Sequence, residues 1–434
     1  MALGIPSHKV SQTIHLKDAV ENNNIEMAEK YLKSPNISYI TLNNALRIAS
    51  LNGNFEMVKL LVEHGASIVT SKNMPIICAA ANGHIDIVKY FLENGADCTT
   101  YEDKAFKQAC KNGHIEVVKL LLERFYKNYY YRTHAFNEAI TLASENGHAE
   151  IVKLIIENAS GCIFRYAKSL ELAIENGHLE TIKVLDENTP NYYVSEFKKS
   201  IYIAATKGYT ETIKYLLDKM PNDLLPGVFS SACKSGNIEF VKYVFEYGKK
   251  ELSKNDPHIC EGNSLISAII SGNIDVVKFL FEQDYDYTDE LDVALALAAE
   301  KGHLRIIELL VEKGGNCNAS FKDKLQPTAV EAATQNNHLE AVEFLINHGA
   351  AKTPKQKVKL IEIAAAKGYM DIVEFLLNRV KKVNLNMAIK YSTQNGHVEI
   401  AKLVIRHTLI HTSKDFDAQV EMITKLTNDI LNKH

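Results

Sequence analysis

What this 434-residue chain lacks narrows the field first. It has no surplus of positive charge: the net charge is −4 and the pI about 6.5, whereas a nucleic-acid binder usually carries a pronounced basic excess. Its basic residues are mostly lysines, the poorer bidentate readers of phosphates and base edges. No apolar run approaches the roughly 20 residues needed to cross a bilayer. The start, Met1 to Pro6, has neither a charged segment nor an apolar core, so no secretory signal peptide is expected. Ala2 excludes N-terminal myristoylation, which needs a glycine directly after the initiator Met. The seven cysteines (Cys78, Cys98, Cys110, Cys162, Cys233, Cys260 and Cys317) are odd in number and form no Cys-x-x-Cys pair. Cys78, Cys110 and Cys233 fall in short apolar runs, where a free thiol behaves as a small apolar residue. Reduced thiols and a cytosolic setting are expected. Neither a phosphate-cradling Gly-x-x-x-x-Gly-Lys-(Ser/Thr) nor a zinc-binding His-Glu-x-x-His occurs.

What the chain does have is repetition. In the stretch Ala81–Ala96, Ile85, Val88, Phe91 and Leu92 recur at helical spacing and predict one buried stripe. Asp86 sits in the first turn, where the helix dipole favours a negative charge, and Lys89 lies one turn on, placed to pair with it. Gly95 suits a left-handed C-terminal cap. Before Gly83 lies a second, shorter apolar run, Ile76 to Ala80. The unit reads helix, tight glycine turn, helix, glycine-capped loop. One such pair cannot bury its own apolar face, so it must stack on copies of itself.

The turn glycine or its stand-in marks the register: Asn23, Gly53, Gly83, Gly113, Gly147, Gly177, Gly208, Gly236, Gly272, Gly302, Asn337, Gly368 and Gly396. The spacing is roughly 28 to 36 residues, in the range of helical-repeat solenoids. Four positions earlier stands an alanine in every unit but the last, from Ala19 and Ala49 through Ala333 and Ala364; Ser392 closes the series. One small residue held so constant implies backbones too close for anything longer.

The Ala-Ala-x-x-Gly-His turn, the x-(Asp/Glu)-(Ile/Val)-Val-Lys-x-Leu-Leu-Glu helix and the Gly-Ala that follows resemble ankyrin repeats. The resemblance implies an all-α, curved ankyrin-repeat solenoid of about thirteen stacked helix-turn-helix units. It also implies a protein partner held on a concave face. Two departures from the family pattern stand out. The Thr-Pro-Leu-His start of the first helix survives at best as fragments at Pro75 and Pro327-Thr328, and several units fall short of about 33 residues. Short or irregular loops are therefore expected in place of β-turn fingers. Long arrays of this Lys-, Asn- and Ile-rich flavour resemble effectors of intracellular bacteria, which reach the host cytosol without a signal peptide, and proteins of giant viruses.

Along the chain, residues 1–15 read as a lead-in, 16–411 as the solenoid and 412–434 as a capping helix with Phe416, Val420, Ile423, Leu426 and Ile430 on one face. Alternatively that helix detaches and docks on a partner. A break at Arg124 to Arg132 holds four tyrosines, a longer polar connector runs from Lys249 to Asn263, and Asp284 to Glu290 form an acidic, aromatic loop.

Seven of the sixteen histidines follow an anchor: His84, His114, His148, His178, His303, His338 and His397. Stacked helices lie about 8–10 Å apart, while ligands of one zinc each sit about 2 Å from it, so these histidines cannot share an ion. They are expected to bond loop backbone between units. Cys260 beside His258 is too close in sequence, and without an orienting third group, to make a nucleophile pair. No catalytic residue, cofactor or metal is assigned. Two readings from other classes stay open: an enzyme on a repeat frame, and a module that recruits a catalytic protein to a membrane. The expected recognition surface is formed by the positions just before the anchors, Lys111, Glu145, Glu175, Lys207 and Lys234 among them. To these are added Tyr126, Tyr129, Tyr130, Tyr131 and Arg132, where Tyr and Arg suit binding hot spots, and the acidic Asp284, Asp286 and Asp289. A monomer is expected.

Overall fold

A computed structural model describes residues 15–33, 37–125, 133–158, 164–189, 194–252, 259–260, 263–319 and 326–411. The stretch 126–132, the proposed cap 412–434, nearly all of the lead-in, Cys162 and His258 lie outside these residues. Among the described residues all regular structure is helical, with no strand, which is the fold class the periodicity predicts. No described helix is long and apolar enough to cross a membrane. Two compact units form: Met1–Ala204 with Tyr209–Met220, and Ala205–Gly208 with Pro221–His434.

Both units are built from one brick, clearest at Gly83. The first helix ends at Ala81, and Gly83 takes a left-handed φ of +76° that a β-carbon would resist. There the His84 N–H donates to Ala79 O at 3.0 Å and the Gly83 N–H to Ala80 O at 3.3 Å, the six-to-one and five-to-two bonds of a Schellman cap. His84 then opens the second helix, Ile85–Glu93. The stand-ins Asn23 and Asn337 adopt the same sign of φ, +51° and +62°, as the asparagine tolerance of this region allows.

The buried stripe differs from the expected one in detail. Ile87, Val88 and Phe91 are buried, whereas Ile85 is exposed and Leu92 half-buried. Ile85 is the first helical residue, and helical side chains tilt back toward the N-terminus, which carries it past the core to the turn. The same inward triple recurs as Met57, Val58 and Leu61, and as Ile306, Ile307 and Leu310. The expected Asp86–Lys89 ion pair is absent among the described residues. Where the acid is glutamate the pair forms in most units, as in Lys59–Glu56 at 2.9 Å and Lys119–Glu116 at 2.7 Å, although Lys153 turns to Glu157 and not to Glu150; the shorter aspartate stops a methylene short.

The recurrent alanines are buried throughout, from Ala19 at 4% exposure to Ala364 at 0%, and Ser392 is buried too. Consecutive first helices, such as Thr70–Ala81 against Thr100–Lys111, pack more intimately than consecutive second helices, such as Ile85–Glu93 against Ile115–Phe125. A methyl at the contact lets two backbones approach where a longer side chain would hold them apart. Among the described connectors, those at 64–69 and 94–99 are short and built of turns. Pro75 follows three left-handed residues, Ser71 to Asn73, and does not open the helix in the family manner. Two first helices do have strong starts. Thr328 caps Ala329–Gln335 with Glu331 reciprocating, and Thr353 caps Pro354–Lys367 with Gln356 reciprocating and Pro354 in the first turn.

Candidate functional site

The histidines after the anchors are structural. Each lays its ring over the glycine of the preceding unit, and five point Nε2 at a carbonyl two residues before that glycine. His84 reaches Leu51 O at 2.9 Å, His114 reaches Ala81 O at 3.0 Å, and His148 reaches Lys111 O at 2.9 Å. His178 reaches Glu145 O at 3.0 Å and His338 reaches Glu300 O at 2.9 Å. His303 and His397 cover Gly272 and Gly368 in the same way. A β-carbon built at Gly83 would stand 2.5 Å from His114 Nδ1, so the glycine is required by its neighbour's ring as well as by its own φ. Tyr209 and Tyr369 take the histidine's position in their units: the Tyr209 ring covers Gly177, and the Tyr369 hydroxyl donates to Gln335 O at 3.4 Å. The ladder is interrupted at Gly236, where Asn273 replaces the imidazole and its side-chain amide donates to Gly236 O at 2.8 Å.

The carbonyls so bound belong to the positions that the sequence marked for recognition. Lys111 and Glu145 sit at the turn end of their helices with exposed side chains. Lys207 and Lys234 are exposed as well, while Glu175 is half-buried and accepts from the Ser200 hydroxyl at 3.0 Å. The main cavity lies further back along the first helices. It holds about 930 Å³ between Thr100–Lys111 and Thr133–Glu145, and Arg165 lines it from the loop before the next first helix. Its residues stand mostly five to ten positions before their anchor, a register distinct from the two-before-anchor positions. Helical period explains the difference: positions five, six and nine before the turn share a face with one another and not with the buried alanine at four.

A second missed device orients this face. Ten residues before an anchor, an Asn or Asp side chain accepts the backbone N–H of the next unit's loop. Asn43 accepts from Ser67 at 2.8 Å, Asn137 from Arg165 at 2.9 Å, and Asp292 from Asn316 at 2.8 Å. The signal was readable as Asn or Asp at a fixed offset, but only once the anchors were aligned. Within the cavity Lys107 Nζ donates to Glu138 Oε2 at 2.6 Å, and His134 Nδ1 lies 3.8 Å from Glu138 Oε1. The Lys107 hydrogen bond holds the Glu138 carboxyl below its usual range.

The acidic loop is folded by its aromatics. Tyr287 is buried at 3% exposure against Phe281 and Tyr285. Asp286 Oδ1 accepts from Thr288 N at 2.9 Å and Thr288 Oγ1 at 2.5 Å, an Asx turn that holds its carboxyl below the usual range. Asp284 and Asp289 are exposed. The six described cysteines are free and buried. Burial pushes the Cys110 and Cys233 thiols up, the opposite of what a nucleophile needs. Cys260 is likewise raised by burial, against a hydrogen bond from Tyr287.

Comparison with known proteins agrees with this architecture. The family model described as ankyrin repeats (three copies) matches residues 16–102, 106–196, 201–291 and 286–356. The chain belongs to the ankyrin-repeat family. An ankyrin repeat and KH domain-containing protein of Caenorhabditis elegans is 31% identical over 128 residues, 29% of this chain and 5% of that protein. An ankyrin repeat domain-containing protein of Aspergillus oryzae is 32% identical over 108 residues, 25% of this chain and 17% of its own length. A putative ankyrin repeat protein of Acanthamoeba polyphaga mimivirus is 35% identical over 68 residues, 16% of this chain and 54% of its own. The chain thus spans only a small part of the first two relatives.

Proposed function

We propose that this chain is a non-catalytic recognition module that holds a partner protein against the open face of its first helices. The observation that carries the reading is the 930 Å³ cavity on that face. Its lining varies in size and charge, while the buried alanines and the histidine–glycine contacts keep the frame beneath it fixed. A rigid frame that presents variable side chains loses little conformational entropy on binding. The exposed turn-end residues Lys111, Glu145, Lys207 and Lys234, and the acids Asp284 and Asp289, extend the proposed partner surface. Glu175, Asp286, Tyr126, Tyr129, Tyr130, Tyr131 and Arg132 complete it. Six free, buried thiols support a reducing, cytosolic working place.

Affinity capture from a eukaryotic cytosolic lysate tests the reading. The wild-type chain is expected to retain a protein that Gln108→Trp, which fills the cavity with a bulky neutral ring, releases. Lys153→Glu, on a second helix, should leave retention unchanged. An empty capture, or one indifferent to Gln108→Trp, overturns it.

A further inference from the structure

The reading above leaves the partner's chemistry open, and the cavity's charge narrows it; this inference rests on that reading. Among the described residues lining it, Lys104, Lys107 and Arg165 are basic and Glu138 is the one carboxylate, an excess of 3 − 1 = 2 basic groups. His134, 81% exposed at the rim, adds to these whenever it is protonated. The Lys107–Glu138 bond lies at the base, with Lys107 only 12% exposed, so the carboxylate is taken up internally. Lys104, on Thr100–Lys111, and Arg165, in the loop before Ala167–Glu175, are both exposed. The chain as a whole is net negative, so a locally positive recess stands out against its surroundings. The walls between the cations are apolar and hydroxylic, with Leu142 and Thr141 among them.

We propose that this cavity binds an acidic peptide segment of the partner protein, its carboxylates paired with Lys104 and Arg165 and its intervening aliphatic side chains against Leu142. A peptide that covers the recess excludes water from around these cations, which strengthens their attraction for its carboxylates. A guanidinium presents two parallel donors to a carboxylate, which favours Arg165 as the orienting contact.

The experiment is fluorescence anisotropy with three labelled dodecapeptides in which every second residue is Glu, Gln or Lys and the others are Ala and Leu. Each is titrated with the full chain and with Lys104→Glu, Arg165→Glu and the double variant. Lys153→Glu serves as an off-cavity control, and thermal melts verify folding. Lys104→Gln and Arg165→Gln are run in parallel, as gentler changes. The Glu peptide should bind, and the double reversal should weaken it by about tenfold or more, as truncating paired charges at an interface does. Added salt should weaken it progressively, and Lys153→Glu should match wild type. Glu and Gln peptides that bind equally and are both lost on cavity substitution would overturn the acidic preference while leaving the open-face reading intact. A Glu peptide indifferent to both substitutions, or unbound by the wild type, would overturn the inference itself. The lysate capture judges the broader reading independently.

Discussion

At the residue scale, Gly83 answers two demands, and mutation can separate them. Its φ of +76° penalises any β-carbon, and the His114 ring fills the space that carbon would enter. Gly95 shares the first demand alone: its φ is +88° and nothing lies within 4 Å. Gly95→Ala should therefore cost about 1–2 kcal/mol, the left-handed penalty, and Gly83→Ala should cost more. His114→Ala should cost about 1 kcal/mol or more through the lost bond to Ala81 O and the lost packing. The double variant Gly83→Ala with His114→Ala should cost less than the sum, because removing the ring removes the clash. Urea denaturation of the four variants checks this, and strict additivity would contradict it. Glu290 offers a pH test. It is half-buried with Oε2 unbonded, and burial pushes its carboxyl up. A carboxyl raised on folding binds protons more tightly in the native state, so stability falls as pH rises from the unfolded value through the raised one. Glu290→Gln should therefore stabilise the protein at pH 7, with the gain shrinking below about pH 4. A gain that is constant with pH would point to some other cause.

At the element scale, first helices are governed by what starts and ends them. The sequence displays the ends openly, since glycine, the alanine four before it and the histidine after it recur at fixed offsets. It hides some of the starts. The pairing of Thr353 with Pro354 reproduces the family's helix opening, and the box closes through Gln356. Thr353→Ala should destabilise by about 1 kcal/mol, while Thr353→Ser should be nearly silent, as thermal melts can show. The alanine row makes a sharper claim. Ala79→Leu should cost about 1–3 kcal/mol by overpacking. Ala79→Ser should cost less, because Ser392 already occupies the equivalent buried place with its hydroxyl bonded to Ala388 O at 2.8 Å. A tolerated leucine would mean the first helices are not in limiting contact.

At the scale of the whole molecule, the fold class and register were legible because a repeat announces its constraints many times over. Noise at one unit, such as Asn at position 23 or 337, is outvoted by the others. The proposed binding face was less legible for the same reason. Positions free to vary carry no repeated signal, so the two residues before each anchor looked as suitable as those five to ten before it; only helical geometry separated Lys111 from Gln108. Cysteine chemistry gives a global check. The six described thiols are buried, so in native protein they should resist alkylation by iodoacetamide and react once urea unfolds the chain, as intact-mass measurement would count.

The account centres on the open face of the first helices, and site-specific photo-crosslinking addresses it most directly. A benzophenone side chain is placed in turn at Lys111 and Glu145, exposed at the turn ends of first helices, and at Lys119 and Lys153 on second helices, and each is irradiated with captured partner. Crosslinks from the first two positions and none from the second two are expected. Crosslinks from the second helices alone would contradict the account.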